Sequence, residues 1–373
     1  MSLAIYRKYR PKLLKDLLGQ EDICEILRNA ARRDRLAHAY LFYGPRGTGK
    51  TTAARLVAKL ANCETRANDA KFCATGEPCN RCRPCKEIDA GHALDVVEID
   101  AASNRGIDEI RDLKESIKLS PSSYRYKVFI VDETHQLTKE AFNALLKTLE
   151  EPPAHAIFVL ATTEYEKIPP TIVSRTQRFH FKKLSVTEIA GKLEKIVKAE
   201  KMKVADDALE LIAASAEGSL RDAESLLDQL TSLEDEVTLA SVESVTGKVG
   251  FTRTAALAEL ILSGKLEESL EYVAKIQSGG WNVVELTKEL IHYFRRILTL
   301  NADPHIKELF RRELTVRELV TMEQHAALIK FPQHINLIKT LMRSYGEMRY
   351  SPFAAIPLEV ALIENLRPVS DAA

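Results

Sequence analysis

Gly44-Pro45-Arg46-Gly47-Thr48-Gly49-Lys50-Thr51 decides the fold of this chain. The octet fits G-x-x-x-x-G-K-[ST], the pattern of a loop that cradles a phosphate chain. Its flanks fit too. Ala39-Tyr40-Leu41-Phe42-Tyr43 reads as a buried strand, and Thr51-Thr52-Ala53-Ala54-Arg55-Leu56-Val57-Ala58 reads as a helix. Strand, glycine loop and helix aim loop amides and a helix N-terminus at one spot, which is what an anion requires. Gly44, Gly47 and Gly49 let the backbone approach where a Cβ would collide. Lys50 is then expected at the β- and γ-phosphates of a nucleotide, and the Thr51 hydroxyl at Mg²⁺.

Val128-Phe129-Ile130-Val131-Asp132-Glu133 reads as a second buried strand, ending in two carboxylates. Burying both charges there makes sense only beside a cation. Asp132 is expected to hold Mg²⁺, and Glu133 to polarise an attacking water. Asp132-Glu133-Thr134-His135 has the form of a helicase box, but a tetrapeptide does not supply a second motor domain. Thr162 and Thr163 follow the strand Ala156–Ala161, where a hydroxyl is placed to sense a γ-phosphate. Arg175, in Ser174-Arg175-Thr176, and Arg221, in Gly218-Ser219-Leu220-Arg221, carry the planar, permanent charge that suits a phosphoryl transition state. Taken singly, each also reads as a salt-bridged surface residue.

Of the six cysteines, Cys63, Cys73, Cys79, Cys82 and Cys85 crowd into one short span, while Cys24 reads as a packing residue. Cys79-x-x-Cys82-x-x-Cys85 brings three thiols together on tight turns, with Cys63 and Cys73 competing for the fourth place. A closed four-thiolate Zn²⁺ site in a loop-rich insertion is expected, in preference to disulfides or an iron–sulfur cluster. Being closed to substrate, it is expected to lie beside the nucleotide pocket, so that Cys82→Ser leaves ATP binding largely intact.

At 373 residues, two or three domains are expected. The 53 basic and 53 acidic residues cancel, so net charge gives no global argument for nucleic acid. Residues 1–60, however, hold 13 Lys or Arg against 5 Asp or Glu, an excess that suits a polyanion or a solvated face. Met1–Lys8 has no apolar signal region, and no run approaches membrane-spanning length, so a cytoplasmic chain without membrane contact is expected. Short apolar strands alternate with helices up to about Phe181. From Leu184 to about Thr246 strands are expected to vanish, and from Phe251 a longer all-helical region follows, broken at Gly264, Gly279-Gly280 and Pro304.

The segments Arg7–Pro11, Leu18–Glu21, His38–Phe42, the glycine octet, the cysteine insertion, Glu98–Ser103, Val131–Glu133, Asn143–Pro153 and Gly218–Ala223 carry a family resemblance. On them the chain resembles the gamma/tau subunits of bacterial DNA polymerase III, the ATPases of sliding-clamp loaders in the AAA+ superfamily. The resemblance covers nearly the whole chain and is densest from Tyr9 to Gln229. It implies an α/β P-loop AAA+ domain with a parallel sheet (1–181) and an inserted zinc-binding module (63–85). A helical lid (182–246) and an all-α oligomerisation collar (247–373) are implied to follow.

The resemblance also implies roles. Cys63, Cys79, Cys82 and Cys85 match the zinc ligands, and Cys73 falls outside the pattern. Thr163 matches sensor 1 and Arg221 sensor 2. Arg175 matches the arginine finger of a Ser-Arg-Cys motif, read here as Ser-Arg-Thr, acting on a neighbouring subunit's ATP. The adenine of ATP is implied near Arg10-Pro11 and Leu18-Gly19, with Thr52 beside the phosphates. The implied partners are delta and delta-prime subunits, further copies of the chain, the β sliding clamp and primer–template DNA, within a DNA polymerase holoenzyme. DNA grip is expected through phosphates, with Arg105 as a candidate; Arg125 and Lys127 are also candidates, though a solvated strand edge is the preferred reading for them. Ending at Ala373, the chain is expected to match the family's short form, without regions that bind polymerase and helicase. Two rivals remain. A branch-migration type of AAA+ motor is opposed by the cysteine insertion and the helical C-terminal region. A non-hydrolysing scaffold is opposed by intact Lys50, Thr51, Asp132 and Glu133.

Overall fold

The strand on which everything hangs is β1, Ala39–Tyr43, and it lies inside the sheet rather than at its edge. The computed structural model describes residues 3–103, 113, 115–246, 250–310, 314, 316–348 and 350–367. Four further strands, β2 (Val96–Asp100), β3 (Lys127–Asp132), β4 (Ala156–Thr162) and β5 (Gln177–His180), join β1 in the order β2-β3-β4-β1-β5. All the pairings are parallel, with Ala39 opposite Phe158 and Leu41 opposite Arg178. Parallel strands need crossovers, and helices fill them on both faces, so the inner strands read as continuous apolar runs. β4 is buried throughout, whereas the edge strand β5 buries only Phe179.

Successive side chains of a strand point to opposite faces. Tyr40 and Phe42 accordingly join Leu27, Leu56, Val128, Val159 and Phe181 in one core, while Leu41 joins Phe129, Val131, Phe142, Leu145 and Phe158 in the other. Lys50–Asn62, the helix after the octet, packs in the first core and Lys139–Glu150 in the second. Thr138 caps the latter by accepting the Ala141 N–H at 3.2 Å.

The chain divides into two compact units, residues 1–184 with 218–225, and residues 185–217 with 226–373. The first holds the five-stranded sheet. In the second, Val186–Glu200 starts at a capping box in which Ser185 and Glu188 satisfy each other's backbone N–H. Strands are not absent there, contrary to expectation: Lys203–Val204 and Glu236–Val237 pair in parallel. Two-residue strands are too short for an alternating pattern to register in a sequence. The remainder is helical, with Phe251–Leu262, Leu266–Ser278, Val283–Ala302, Phe331–Met348 and Ala355–Leu366 around a core that includes Leu290, Phe294, Ile297, Leu341, Leu358 and Leu362. Gly264, Gly279-Gly280 and Pro304 fall between these helices. Among the described residues, no helix is long and apolar enough to cross a membrane.

The cysteine insertion is more regular than its composition suggests. Short helices Glu64–Asn68, Ala70–Cys73 and Arg83–Ala90 occupy it, and Cys85 lies on the last of them.

Candidate functional site

Within the first unit the glycine octet bends from the end of β1 into Lys50–Asn62, and its glycines are there for steric reasons. Gly44 has φ +141°, and a Cβ on it would stand 2.2 Å from the Phe181 carbonyl oxygen. At Gly47, φ is +71° and a Cβ would meet Ser219 Oγ at 1.9 Å. No L side chain fits either place. The Gly44 N–H donates to the Thr162 carbonyl at 3.2 Å, so the loop is also anchored to the end of β4.

Lys50 is buried, and its ammonium donates to the Gly44 and Pro45 carbonyls at 2.8 and 2.7 Å. Burial pushes its pKa below the ordinary lysine value, opposed by the charges of Glu133 and Asp132. The Thr51 hydroxyl donates to Asp132 Oδ2 at 2.7 Å, which joins the octet to the end of β3. Asp132 Oδ1 accepts the Glu133 N–H at 2.9 Å. Glu133 itself adopts left-handed backbone, φ 47° and ψ 42°, a conformation uncommon for a residue with a side chain. Its carboxylate accepts from the Thr163 hydroxyl at 3.2 Å. Thus Lys50, Thr51, Asp132, Glu133 and Thr163, drawn from three separate segments, are brought together.

A pocket opens over this constellation. Its wall includes Arg46, Gly47, Thr48, Gly49, Lys50, Thr51 and Thr52 from the octet and its helix, with Asp132 and Glu133. Arg10, Pro11 and Leu18 also line it, whereas Gly19 does not, and Arg221 reaches it from the returning segment 218–225. Burial is the main cause that depresses the Arg10 pKa below its ordinary value, with the Arg55 charge adding to it. Arg10, Arg46, Lys50 and Arg221 give the pocket the cationic character that a polyphosphate requires.

Several lining residues went unread in the sequence. Tyr6 holds the Arg221 guanidinium 5.1 Å from its ring centroid, and Leu17, Leu184, Leu220 and the buried Glu224 also line the pocket. His135 is another. Its side chain is 5% exposed, and its Nδ1 lies 3.0 Å from Thr162 Oγ1 and 3.4 Å from Glu133 Oε2, while Nε2 lies 3.1 Å from Glu164 Oε1. The tetrapeptide set aside as a helicase look-alike therefore contributes a side chain that touches Glu133.

Arg175 does not line this pocket. It pairs with Glu150 at 2.5 Å and donates to the Thr171 carbonyl at 2.8 Å. Of the basic residues considered for DNA, Arg125 is paired with Asp34 at 3.0 Å. Lys127 is buried, its ammonium donating to the Ser116 carbonyl at 2.8 Å, which removes it as a surface contact. Arg105 lies outside the described residues.

The Sγ atoms of Cys63, Cys79, Cys82 and Cys85 all lie within 4.8 Å of one another. A tetrahedral S₄ site with Zn–S bonds of about 2.3 Å places its sulfurs about 3.8 Å apart, so the four fit such an ion. Backbone N–H groups of Cys79, Arg81 and Cys82 donate to the Sγ atoms of Cys63 or Cys79 at 3.2–3.4 Å, an environment that favours thiolates. The Cys85 thiol, donating to Cys63, holds the latter's pKa down at about 4 and is itself raised in turn. Cys73 stands apart, its sulfur 3.8 Å from Arg66 Nη2 and 3.9 Å from the Arg32 carbonyl.

Three family models tile the chain. One described as DNA polymerase III, delta subunit, matches residues 19–185, and one for the DNA polymerase III clamp loader subunit, ATPase lid domain, matches 188–233. A third, for domain III of DNA polymerase III subunits gamma and tau, matches 237–370. The DNA polymerase III subunit gamma of Buchnera aphidicola subsp. Acyrthosiphon pisum is 35% identical over 97% of this chain and 98% of that protein. The chain belongs to the DNA polymerase III gamma/tau family. The parallel-sheet AAA+ domain, the lid domain and the helical C-terminal domain of that family are all present. DNA polymerase III subunit tau of Bacillus subtilis (strain 168) is 43% identical over 97% of this chain, which spans 62% of that protein's length. Among solved structures, the Thermotoga maritima RuvB Holliday junction branch migration motor matches with 20% identity and a TM-score of 0.47, covering 68% of this chain and 79% of that one. A likeness that distant does not bear on function.

Proposed function

We propose that the chain is the ATP-hydrolysing motor subunit of a bacterial replicative clamp loader, which opens the β sliding clamp and places it on primer–template DNA. The observation that carries this is the convergence of Lys50, Thr51, Asp132, Glu133 and Arg221 on one pocket in a member of the gamma/tau family. ATP is the substrate. Lys50 turns its ammonium from the loop carbonyls to the β- and γ-phosphates, and the octet amides share the remaining charge. Thr51 and Asp132, already hydrogen-bonded, are the side chains that hold Mg²⁺, which neutralises phosphate charge when bound.

Glu133 orients the attacking water and accepts its proton. Thr163 and His135 fix its carboxylate, so a γ-phosphate that draws the Thr163 hydroxyl away releases Glu133 for that task. Arg221 senses the phosphates from the segment at residues 218–225. Arg175, absent from its own pocket, acts as a finger on the ATP of a neighbouring subunit. Cys63, Cys79, Cys82 and Cys85 hold one Zn²⁺, which supplies structural closure rather than catalysis. The natural assembly consists of copies of this chain with delta and delta-prime subunits.

Reconstitution with those subunits and the clamp from the same organism tests the proposal. ATP turnover stimulated jointly by clamp and primed DNA, with clamp left closed on DNA, is expected. Turnover indifferent to both would refute it.

A further inference from the structure

We infer that Glu77, in the cysteine insertion, is a positioning residue for the base-binding wall of the nucleotide pocket. The inference rests on the nucleotide reading of that pocket. Tyr6, Pro11, Leu17 and Leu18, all in the N-terminal segment, form most of the apolar part of the lining, with Leu184 and Leu220 as the remainder. A purine ring needs such a wall, because its faces are apolar and the phosphates are served elsewhere. The segment leans directly on the phosphate loop: a Cβ on Gly49 would stand 3.1 Å from Leu17 Cδ2.

That segment has little regular structure of its own. Its turn Leu14–Asp16 starts at Leu13, which offers no side-chain cap. The missing acceptor comes from 62 residues away. Glu77 accepts the Leu14 N–H at 2.7 Å and the Lys15 N–H at 3.1 Å. The same carboxylate pairs with Arg28 at 3.1 Å and is 12% exposed, so it joins the turn, the helix Glu21–Arg32 and the insertion at one point. Charge-assisted bonds to orphan backbone donors are among the stronger ones a carboxylate makes.

Two further contacts repeat the tie. Asn80 Nδ2 donates to the Lys12 carbonyl at 3.0 Å, one residue past Pro11. Gly76 has φ +69°, and a Cβ there would lie 2.6 Å from the Arg28 carbonyl oxygen, so the insertion loop is seated against the helix with no room to spare. Glu77 and Asn80 flank Cys79, one of the four gathered thiols. The cysteine cluster therefore shapes the loop that holds the wall, and the insertion is not separable from the nucleotide pocket as its closed chemistry alone suggested.

The test compares two probes on the full chain by titration calorimetry, MgATP and Mg-tripolyphosphate. The second engages the phosphate loop but has no base. Glu77→Ala is expected to weaken MgATP about tenfold, through the ordering the wall then requires on binding. Tripolyphosphate affinity is expected to stay within about twofold, which also reports an intact fold. Gly76→Ala is expected to repeat the pattern by displacing the loop, and Glu77→Gln, which keeps one acceptor oxygen, to fall between. Unchanged MgATP affinity in Glu77→Ala would overturn the inference. So would an equal loss for both probes in all three variants, which would place the effect in the phosphate loop. Failure of the unaltered chain to bind MgATP would instead overturn the nucleotide reading on which the inference stands.

Discussion

Replacing Arg175 with Ala separates structure from chemistry more sharply than any other single change. Within its own chain the side chain pairs with Glu150 at 2.5 Å, but the two are 33% and 46% exposed. Pairs that exposed contribute about 0.2–1 kcal/mol after solvent screening. Loss of stability is therefore expected below about 1 kcal/mol, a melting shift of about 2–4 °C or less for a domain of this size. A finger acting in trans is worth on the order of 10³ in rate, or about 4 kcal/mol of barrier. Arg175→Ala should thus melt nearly as the unaltered chain does and bind ATP equally well when isolated. Clamp- and DNA-stimulated turnover in the assembly should fall at least a hundredfold, by the same scale. Mixing it with Lys50→Ala provides the decisive assay. Some mixed interfaces join an intact Lys50 pocket to an intact neighbouring Arg175, so part of the turnover returns. No recovery, together with an equal loss in the isolated chain, would refute action between subunits.

Three further outcomes are expected. Lys50→Ala should abolish nucleotide binding, since the buried ammonium carries much of the phosphate charge; equilibrium titration that finds unaltered affinity would remove Lys50 from the site. Glu133→Gln should bind ATP yet turn over at least a hundredfold more slowly, because Asp132 and Thr51 are spared while the proton acceptor is lost. Steady-state hydrolysis retained in that variant would contradict the division of labour between the two acids. Elemental analysis should find one Zn²⁺ per chain, reduced in Cys82→Ser, and iron in its place would show the four-thiolate assignment to be wrong.

The phosphate loop was legible because its chemistry is local: eight consecutive residues carry the glycines, the lysine and the threonine, and strand and helix flank them. The same holds for β3, whose apolar run ends in Asp132 and Glu133. Cys79, Cys82 and Cys85 were legible by spacing, while the choice of Cys63 over Cys73 needed the family, since both lie within reach in sequence. The geometry places Cys63 among the other three and turns Cys73 toward Arg66. What stayed hidden is non-local. Nothing around Tyr6 announces a ring beneath Arg221, and nothing in Thr-Gly-Glu-Pro announces a cap for the turn at Leu14. His135 was hidden for the same reason. Its tetrapeptide matches a helicase box, and its burial beside Glu133 depends on β4 and the loop after it, which lie far along the chain.

The placement of β1 sets a schedule for biosynthesis. Among the described residues, 39–43 pair with β4 and β5 alone, which begin at Ala156 and Gln177. A nascent chain that has just displayed its glycine octet has therefore no neighbour to hold the preceding strand. Contacts of such long sequence separation form slowly, after loop-closure entropy has been overcome. At about 5–20 residues per second, the ribosome must work for roughly 6–24 seconds between exposing β1 and delivering β4. During that interval Tyr40, Leu41 and Phe42, fully covered in the finished sheet, are uncovered apolar surface. The strand that founds the pocket is thus the one most in need of shelter while the protein is made.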